Sequence, residues 1–270
     1  MYQGKYGDIM DAIHFRYGVE RSMLKEARYE EIAKLLNREK SMTVEQLGHA
    51  LFVSPPTIRR DLNEMHRQGL AVRIHGGAMA AGDNSLGIPV DFRNAIRSKE
   101  KQRLAQSAAS LVKNGDVLFI DASTTVLHII DHLQKFENIR VITNSIQAAV
   151  HLRKHNIKTY CTGGILIEQS LAFGGSYAQE MIPKFNIDIC FFSSYGINDK
   201  SWIVDYSELE TEMRKVVFRH SAKSVFLCDQ SKFFRNSVFN LVQLREVDYI
   251  ITDAPLPPSM KTGSACCVVV

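Results

Sequence analysis

The sequence contains no run of about 18 or more apolar residues, the length a helix needs to cross a bilayer. Nor does it open with a cationic stretch, an apolar core and a small-residue cleavage site. A cytoplasmic protein without a membrane partner is expected. Its five cysteines (Cys161, Cys190, Cys228, Cys266, Cys267) form no CxxC pair and no spacing pattern of a disulfide framework. Those inside apolar runs are expected to be small buried hydrophobes. The nine histidines are scattered. Their nearest pairing, His128 with His132, lacks a third ligand, so no metal is expected and both rings are assigned to a solvated helix face. No internal repeat or low-complexity tract is present, which excludes solenoids and propellers. Strong charge of one sign is missing too: the net charge is +4, which permits a nucleic-acid partner without requiring one.

What is present reads as one small domain followed by one of ordinary size, in a chain of 270 residues that is 45% hydrophobic. Residues 1–22 have weak apolar patterning and are assigned to an N-terminal extension. Residues 23–78 carry helical spacing. Ile32, Leu35 and Leu36 mark one helix, and Val44, Leu47 and Leu51 a second, opened by a Thr43–Gln46 capping box. A third starts at Ser54-Pro55, read as an N-cap with proline at the first helical position. Its inward stripe is Ile58, Leu62 and Met65, and Gly69 is expected to end it. Residues 70–75 look extended and Gly76-Gly77 makes a turn.

Three short helices and an extended ribbon form the winged helix-turn-helix layout, whose third helix meets base edges in the major groove. On that helix the inward stripe leaves Pro56, Thr57, Arg59, Arg60 and Asn63 on outer faces near the positive end of the dipole. Adjacent arginines offer a fork to guanine and a charge to phosphate. Arg73 and His75 are placed on the wing.

Residues 79–90 read as a linker, and residues 91–254 alternate short apolar runs with amphipathic helices. Strands are expected at 117–120, 140–142, 158–161, 187–192, 225–227 and 249–251. Helices are expected at 97–112, 125–133, 146–154, 178–185 and 208–220. This alternation predicts an α/β domain with a mostly parallel sheet covered on both faces. Ligands in such sheets bind beyond the carboxyl ends of strands. Three strand ends there carry small hydroxyl or glycine residues suited to an anion or a polyol. They are Asp121 with Ser123, Thr124 and Thr125; Thr143, Asn144 and Ser145; and Thr162 with Gly163 and Gly164. Gly174-Gly175-Ser176 is a fourth such element, and Lys232 adds a positive charge. Residues 255–270, with three prolines and a small-residue end, are expected to be a frayed tail. The terminal CVVV matches a prenylation motif only superficially.

The run VSPPTIRRDL at 53–62 and GLAVRIHGGA at 69–78 closely resemble the signature of the DeoR family of bacterial transcription regulators. The resemblance extends from about Lys25 to Asp253. It includes Lys99-Glu100-Lys101, the loops at 121–125, 143–145 and 163–164, and Asp229–Lys232. It implies that Ser54, Thr57, Arg59 and Arg60 contact operator DNA. It further implies a Rossmann-like sensor domain similar in fold to ribose-5-phosphate isomerase, binding a phosphorylated sugar as effector and no cofactor. Two departures stand out: Ser193 replaces a usual glycine, and Arg214 replaces the lysine of a motif that begins at Glu210. Ser193, with Ser194 and Tyr195 beside it, is expected to narrow the effector pocket's wall. Arg214 keeps the charge with a planar fork and longer reach, so the effector is expected to differ from the commoner ones.

Two other functions use the same residues. A sugar-phosphate isomerase needs a carboxylate base and an electrophilic partner, roles open to Asp121, Glu210 and Lys232. Alternatively the larger domain only assembles a homodimer or homotetramer for a symmetric operator. A fused DNA reader favours sensing over catalysis, and three anion-suited strand ends favour sensing over assembly alone.

Overall fold

The structure is a computed structural model that describes residues 24–39, 41–68, 70–74, 76–80, 90–95 and 97–270. The chain divides into two compact units, Met1–Ser85 and Leu86–Val270.

The first unit contains α1 (Lys25–Glu39), β1 (Ser41–Thr43), α2 (Val44–Leu51), α3 (Pro55–Arg67), β2 (Ala71–Ile74) and β3 (Gly77–Ala80). The amphipathic spacing read from the sequence leaves Ile32, Leu36, Leu47, Ile58, Leu62 and Met65 fully buried. Thr43 and Gln46 form the expected capping box: Thr43 Oγ1 accepts from Gln46 N–H at 3.1 Å, and Gln46 Oε1 accepts from Thr43 N–H at 2.8 Å. Ser54 occupies the N-cap of α3, but its side chain makes no capping hydrogen bond. Its hydroxyl lies 2.9 Å from that of Thr57 instead. Gly69 lies outside the described residues. The wing is a hairpin, β2 with β3, to which β1 adds antiparallel on the far side of β3. Gly77 permits that addition, because a Cβ there would lie 2.2 Å from the Met42 carbonyl oxygen.

The second unit is built on a seven-stranded, all-parallel sheet. Its strands are β4 (Val117–Ile120), β5 (Arg140–Thr143), β6 (Lys158–Cys161), β9 (Ile187–Phe192), β12 (Ser221–Cys228), β14 (Tyr249–Thr252) and β15 (Cys266–Val269). The order is β15-β14-β12-β9-β4-β5-β6. Strand alternation sends Leu118 and Ile120 into one core and Phe119 into the other, as it does Val225 and Leu227 against Phe226. The first core is closed by α5 (Ser98–Ala109), α6 (Thr124–Leu127) with the 3-10 helix His128–Lys135, and α7 (Ile146–Lys154). The second is closed by α8 (Ser176–Met181), α9 (Glu208–Arg219) and a small sheet. That sheet consists of β10 (Gly196–Ile197), β11 (Trp202–Asp205) and β13 (Phe239–Gln243). A hairpin of β7 (Ile165–Ile167) and β8 (Ala172–Gly174) and the short α4 (Val90–Ala95) complete the unit.

Three expectations are corrected. The C-terminal segment is not frayed throughout: Cys266–Val269 pair in parallel with β14, because three successive β-favouring residues follow Cys267 and an edge is open beside Tyr249–Thr252. The helix expected at 125–133 is α-helical only to Leu127 and continues as 3-10. The helix expected at 178–185 begins earlier and tightens to 3-10 at Ile182–Lys184, where Pro183 cannot donate to the ladder.

Candidate DNA-reading and ligand-sensing sites

On the first unit, α3 leaves Ser54, Pro56, Arg59, Arg60 and Asn63 exposed, and Thr57 half-buried, around its N-terminal turns. No acidic residue lies in the first turn, so the positive end of the helix and both arginines face solvent together. Arg59 approaches Glu45 of α2 at 3.6 Å, an exposed pair that DNA phosphate can displace. Arg73 on the wing is half-buried, and its Nη1 has no hydrogen-bond partner among the described residues. His75 lies outside the described residues. The residue missed from the sequence is Asp61. It is buried and holds Arg28 of α1 in a two-pronged pair, Nε to Oδ2 at 2.5 Å and Nη2 to Oδ1 at 3.0 Å. Asp61 therefore braces the reading helix from behind, and its signal was an acidic residue sitting on an otherwise apolar stripe.

On the second unit, parallel strands bring their following loops to one edge of the sheet. Asp121, Thr124, Thr125, Thr143, Asn144, Ser145, Glu210 and Asp229 are all buried there. The polar groups fall into three clusters.

The first is a carboxylate net around Arg214, which is itself buried. Its guanidinium donates to both oxygens of Asp121 at 3.1 Å, to Asp205 at 2.5 Å and to Glu210 at 2.8 Å. Burial works against the charged guanidinium, but the carboxylates outweigh it and hold its pKa well above the ordinary value. Burial pushes the Asp205 carboxyl up, with Arg214 acting in the opposite direction. The planar fork that lysine lacks is what lets one cation serve three carboxylates. Two expected effector contacts, Asp121 and Glu210, are thus already engaged by Arg214.

The second cluster is cationic. Lys232 donates to the Ser193 hydroxyl at 2.7 Å and to the Ser194 carbonyl at 2.6 Å. Ser193 in turn donates to the Leu227 carbonyl at 2.6 Å. Ser193 is therefore the post that orients Lys232, not only a bulkier wall. Lys101 on α5 donates to Thr124 Oγ1 at 3.0 Å and to the Arg93 carbonyl. Burial, followed by the neighbouring charge of Lys232, pushes the Lys101 ammonium down to about 7. Burial likewise lowers Lys232, against the pull of Asp229. For Asp229 burial acts upward, but Lys232, Ser231 and Arg97 hold its carboxyl below the usual range. Arg97 also bonds Asp253 at 3.0 Å, tying α5 to the end of β14. Lys101 and Arg97 were not among the expected site residues. The Lys99-Glu100-Lys101 motif was the available signal for the first.

The third cluster joins β5, β6 and the β7–β8 hairpin. Asn144 Nδ2 donates to the Phe173 carbonyl at 3.2 Å, and Asn144 O accepts from Phe173 N–H at 2.7 Å. Gly164, at φ +111°, lies against the Gly174 carbonyl, which a Cβ would meet at 2.5 Å; Gly163 is also left-handed at φ +63°. Both glycines serve the backbone path. Asn144 Oδ1, Thr162 Oγ1 and Ser170 Oγ are buried without partners among the described residues, acceptors and donors that a ligand or water can satisfy.

Some expected hydroxyls have structural duties. Ser123 Oγ accepts from Val126 N–H at 3.4 Å and Ser145 Oγ from Ala148 N–H at 3.1 Å, as helix caps. Thr143 Oγ1 donates to the Ile120 carbonyl at 2.6 Å and accepts from Ser145 N–H at 3.0 Å. His128 is not solvated as expected: its ring is half-buried, Nε2 has no partner among the described residues, and burial with the nearby Lys101 lowers its pKa.

A helix-turn-helix with a β-hairpin wing, carried on one chain with a parallel α/β domain whose strand ends gather desolvated cations, defines a ligand-responsive transcription regulator. The DeoR-like helix-turn-helix domain matches residues 28–83, and the DeoR C terminal sensor domain matches residues 96–254. The chain belongs to the DeoR family. It is 32% identical to the glycerol-3-phosphate regulon repressor of Escherichia coli (strain K12) over 239 residues, 88% of this chain and 94% of that one. It is 31% identical to the transcriptional regulator GolR of Listeria innocua over 84% of this chain and 89% of the other. It is equally 31% identical to the L-fucose operon activator of Haemophilus influenzae, over 87% and 94%. Among solved structures it is similar to ribose-5-phosphate isomerase from Methanocaldococcus jannaschii at 17% identity, with a TM-score of 0.39 over 50% of this chain and 54% of that one. So distant a likeness carries no argument; the α/β class rests on the sheet itself. No helix among the described residues is long and apolar enough to cross a membrane.

Proposed function

We propose that this protein binds operator DNA through α3 and the wing, and represses carbohydrate-metabolism genes until a phosphorylated sugar or polyol occupies the sensor unit. One observation carries the reading: two desolvated lysines stand at these strand ends, Lys101 bonded to Thr124 of the β4 loop and Lys232 to Ser193 after β9, with the charge of Lys232 acting against that of Lys101. A dianionic phosphoryl group relieves that repulsion and accepts from both ammoniums. Ligand hydroxyls meet the unpartnered Asn144 Oδ1, Thr162 and Ser170.

In this reading the DNA contacts are Ser54, Pro56, Thr57, Arg59, Arg60, Asn63, Arg73 and His75. The expected effector residues divide by duty. Thr124 and Lys232, joined by Lys101, meet the phosphoryl group, and Asn144 meets a hydroxyl. Asp121, Ser123, Thr125, Thr143, Ser145, Gly163, Gly164 and Glu210 shape and hold the loops. Because Arg214 occupies both candidate carboxylate bases, Asp121 and Glu210, the site senses and does not catalyse. The reader extends past residue 78 to take in the whole of β3, to Ala80, and the sensor begins no later than α4 at Val90. The sensor extends past residue 254 to include the strand at 266–269. The protein acts in the cytoplasm as a homodimer or homotetramer on a symmetric operator.

Fluorescence anisotropy on DNA from the gene's own promoter, at fixed salt, tests this. One sugar phosphate is expected to release the DNA while its unphosphorylated parent does not. Specific DNA binding indifferent to every phosphorylated compound would refute the sensor assignment; no specific binding would refute the reader on that promoter.

A further inference from the structure

The 3-10 helix His128–Lys135 and α7 bring together three side chains that the DNA-reading and ligand-sensing sites do not use. The ligand atoms of Asp131, His151 and His155 lie within 4.8 Å of one another. His151 and His155 are one helical turn apart at the end of α7, so their imidazoles share a face. Nε2 of His151 is 3.0 Å, and Nε2 of His155 3.8 Å, from the same oxygen of Asp131. A tetrahedral zinc ion with bonds of about 2.0–2.1 Å separates neighbouring ligand atoms by about 3.3 Å, and the two spacings bracket that value. The rings are tilted by 43° with centroids 5.5 Å apart, so they do not stack. The Asp131 side chain is 52% exposed and the imidazoles 30% and 21%, so solvent reaches the site and can fill a fourth position.

We propose that Asp131, His151 and His155 bind one divalent transition-metal ion, with Zn2+ the best chemical match. Two imidazoles and one carboxylate are borderline ligands that suit zinc over calcium or magnesium, which prefer all-oxygen shells. The pair His128 and His132, four apart in the sequence, is not part of the cluster. The ion would clamp the 3-10 helix that continues from the Ser123–Leu127 turn to the helix that follows Thr143–Ser145. This inference stands independently of the effector assignment.

The test is competition of the full-length, untagged chain against a chromophoric chelator for Zn2+. Added Co2+ reports coordination geometry through its visible absorption. One ion per chain is expected, with four-coordinate Co2+ bands. His151→Gln and His155→Gln should each weaken binding by more than about tenfold, Asp131→Asn should weaken it, and His132→Gln should leave it unchanged. The melting temperature should rise with Zn2+ in the wild type and not in His151→Gln, whose ion-free melting should match the wild type. Absence of a 1:1 site in the wild type overturns the proposal. So does binding that survives both His151→Gln and His155→Gln, or that disappears with His132→Gln.

Discussion

Lys101 is held at about 7 in the folded chain against an ordinary value of 10.5. Between those values the unfolded chain keeps a proton that the folded chain has released. Stability therefore rises with pH across that window, by up to about 1.4 kcal/mol per pH unit from this group, and its penalty is fully present below pH 7. A bound phosphoryl group would restore the proton. Effector binding at pH 8 should then take up protons, visible as different heats in buffers of different ionisation enthalpy, and affinity should fall as pH rises. Lys101→Gln should abolish the uptake; uptake unchanged in that variant would place the phosphate elsewhere. Arg214 supports a second expectation at this scale. Arg214→Lys keeps the charge but forfeits the fork to Asp121, which should cost about 2 kcal/mol in denaturant unfolding. It should also free Asp121 or Glu210 to meet ligand hydroxyls, changing which sugar phosphate releases DNA most readily.

The elements make their own demands. Asp61→Ala would take the two-pronged carboxylate away from Arg28 behind the reading helix, at a cost of about 2 kcal/mol, less than for a pair wholly out of water because Arg28 keeps some solvent contact. Operator affinity should fall with that variant and recover in part at low temperature, whereas Arg60→Ala should lose binding without loss of stability. Comparing melting curves with anisotropy separates the two. Elements with strong local signals were legible in the sequence: the Thr43–Gln46 box, the apolar stripe of α3, and β4, β6 and β9 to the residue. Elements created by tertiary partners were not. The strands β7 and β8 are three residues each and close on one another through Gly164 and Gly174. The strands β10 and β11 are a two-residue hairpin arm and its partner, β13 joins β11 from more than thirty residues later, and β15 exists because β14 offers an open edge. For the sensing loops, residue types at strand ends pointed to the right neighbourhood. They did not reveal that Ser123, Thr143 and Ser145 spend their hydroxyls on caps and bridges. Nor did they show that Arg214 gathers residues 121, 205 and 210 into one net. Such pairings depend on sequence separations of up to 93 residues, which no local pattern carries.

For the whole molecule, a regulator of this design obeys linkage. If an effector weakens operator binding by a factor, operator DNA must weaken effector binding by the same factor, and a coupling of about 1–3 kcal/mol corresponds to roughly 5- to 150-fold. Effector titrations with and without saturating operator should give that ratio, equal to the ratio of operator affinities measured the other way. Unequal ratios would mean that a third state, such as a change of assembly, has been left out.

The sheet of the second unit has a kinetic corollary. Its central pair joins Leu118 of β4 to Ile189 of β9, about seventy residues later in the chain, and every strand pairing in it is parallel. The helices and hairpin of the first unit close over far shorter distances, as in Ala71 with Ala80. Loop-closure entropy makes the former slow and the latter fast. After dilution from denaturant, the helical signal of the reader should therefore return well before the near-ultraviolet signal of Trp202, which sits in the second unit on β11. In that interval the chain holds an operator-reading unit not yet subject to any metabolite, a repressor before it is a sensor.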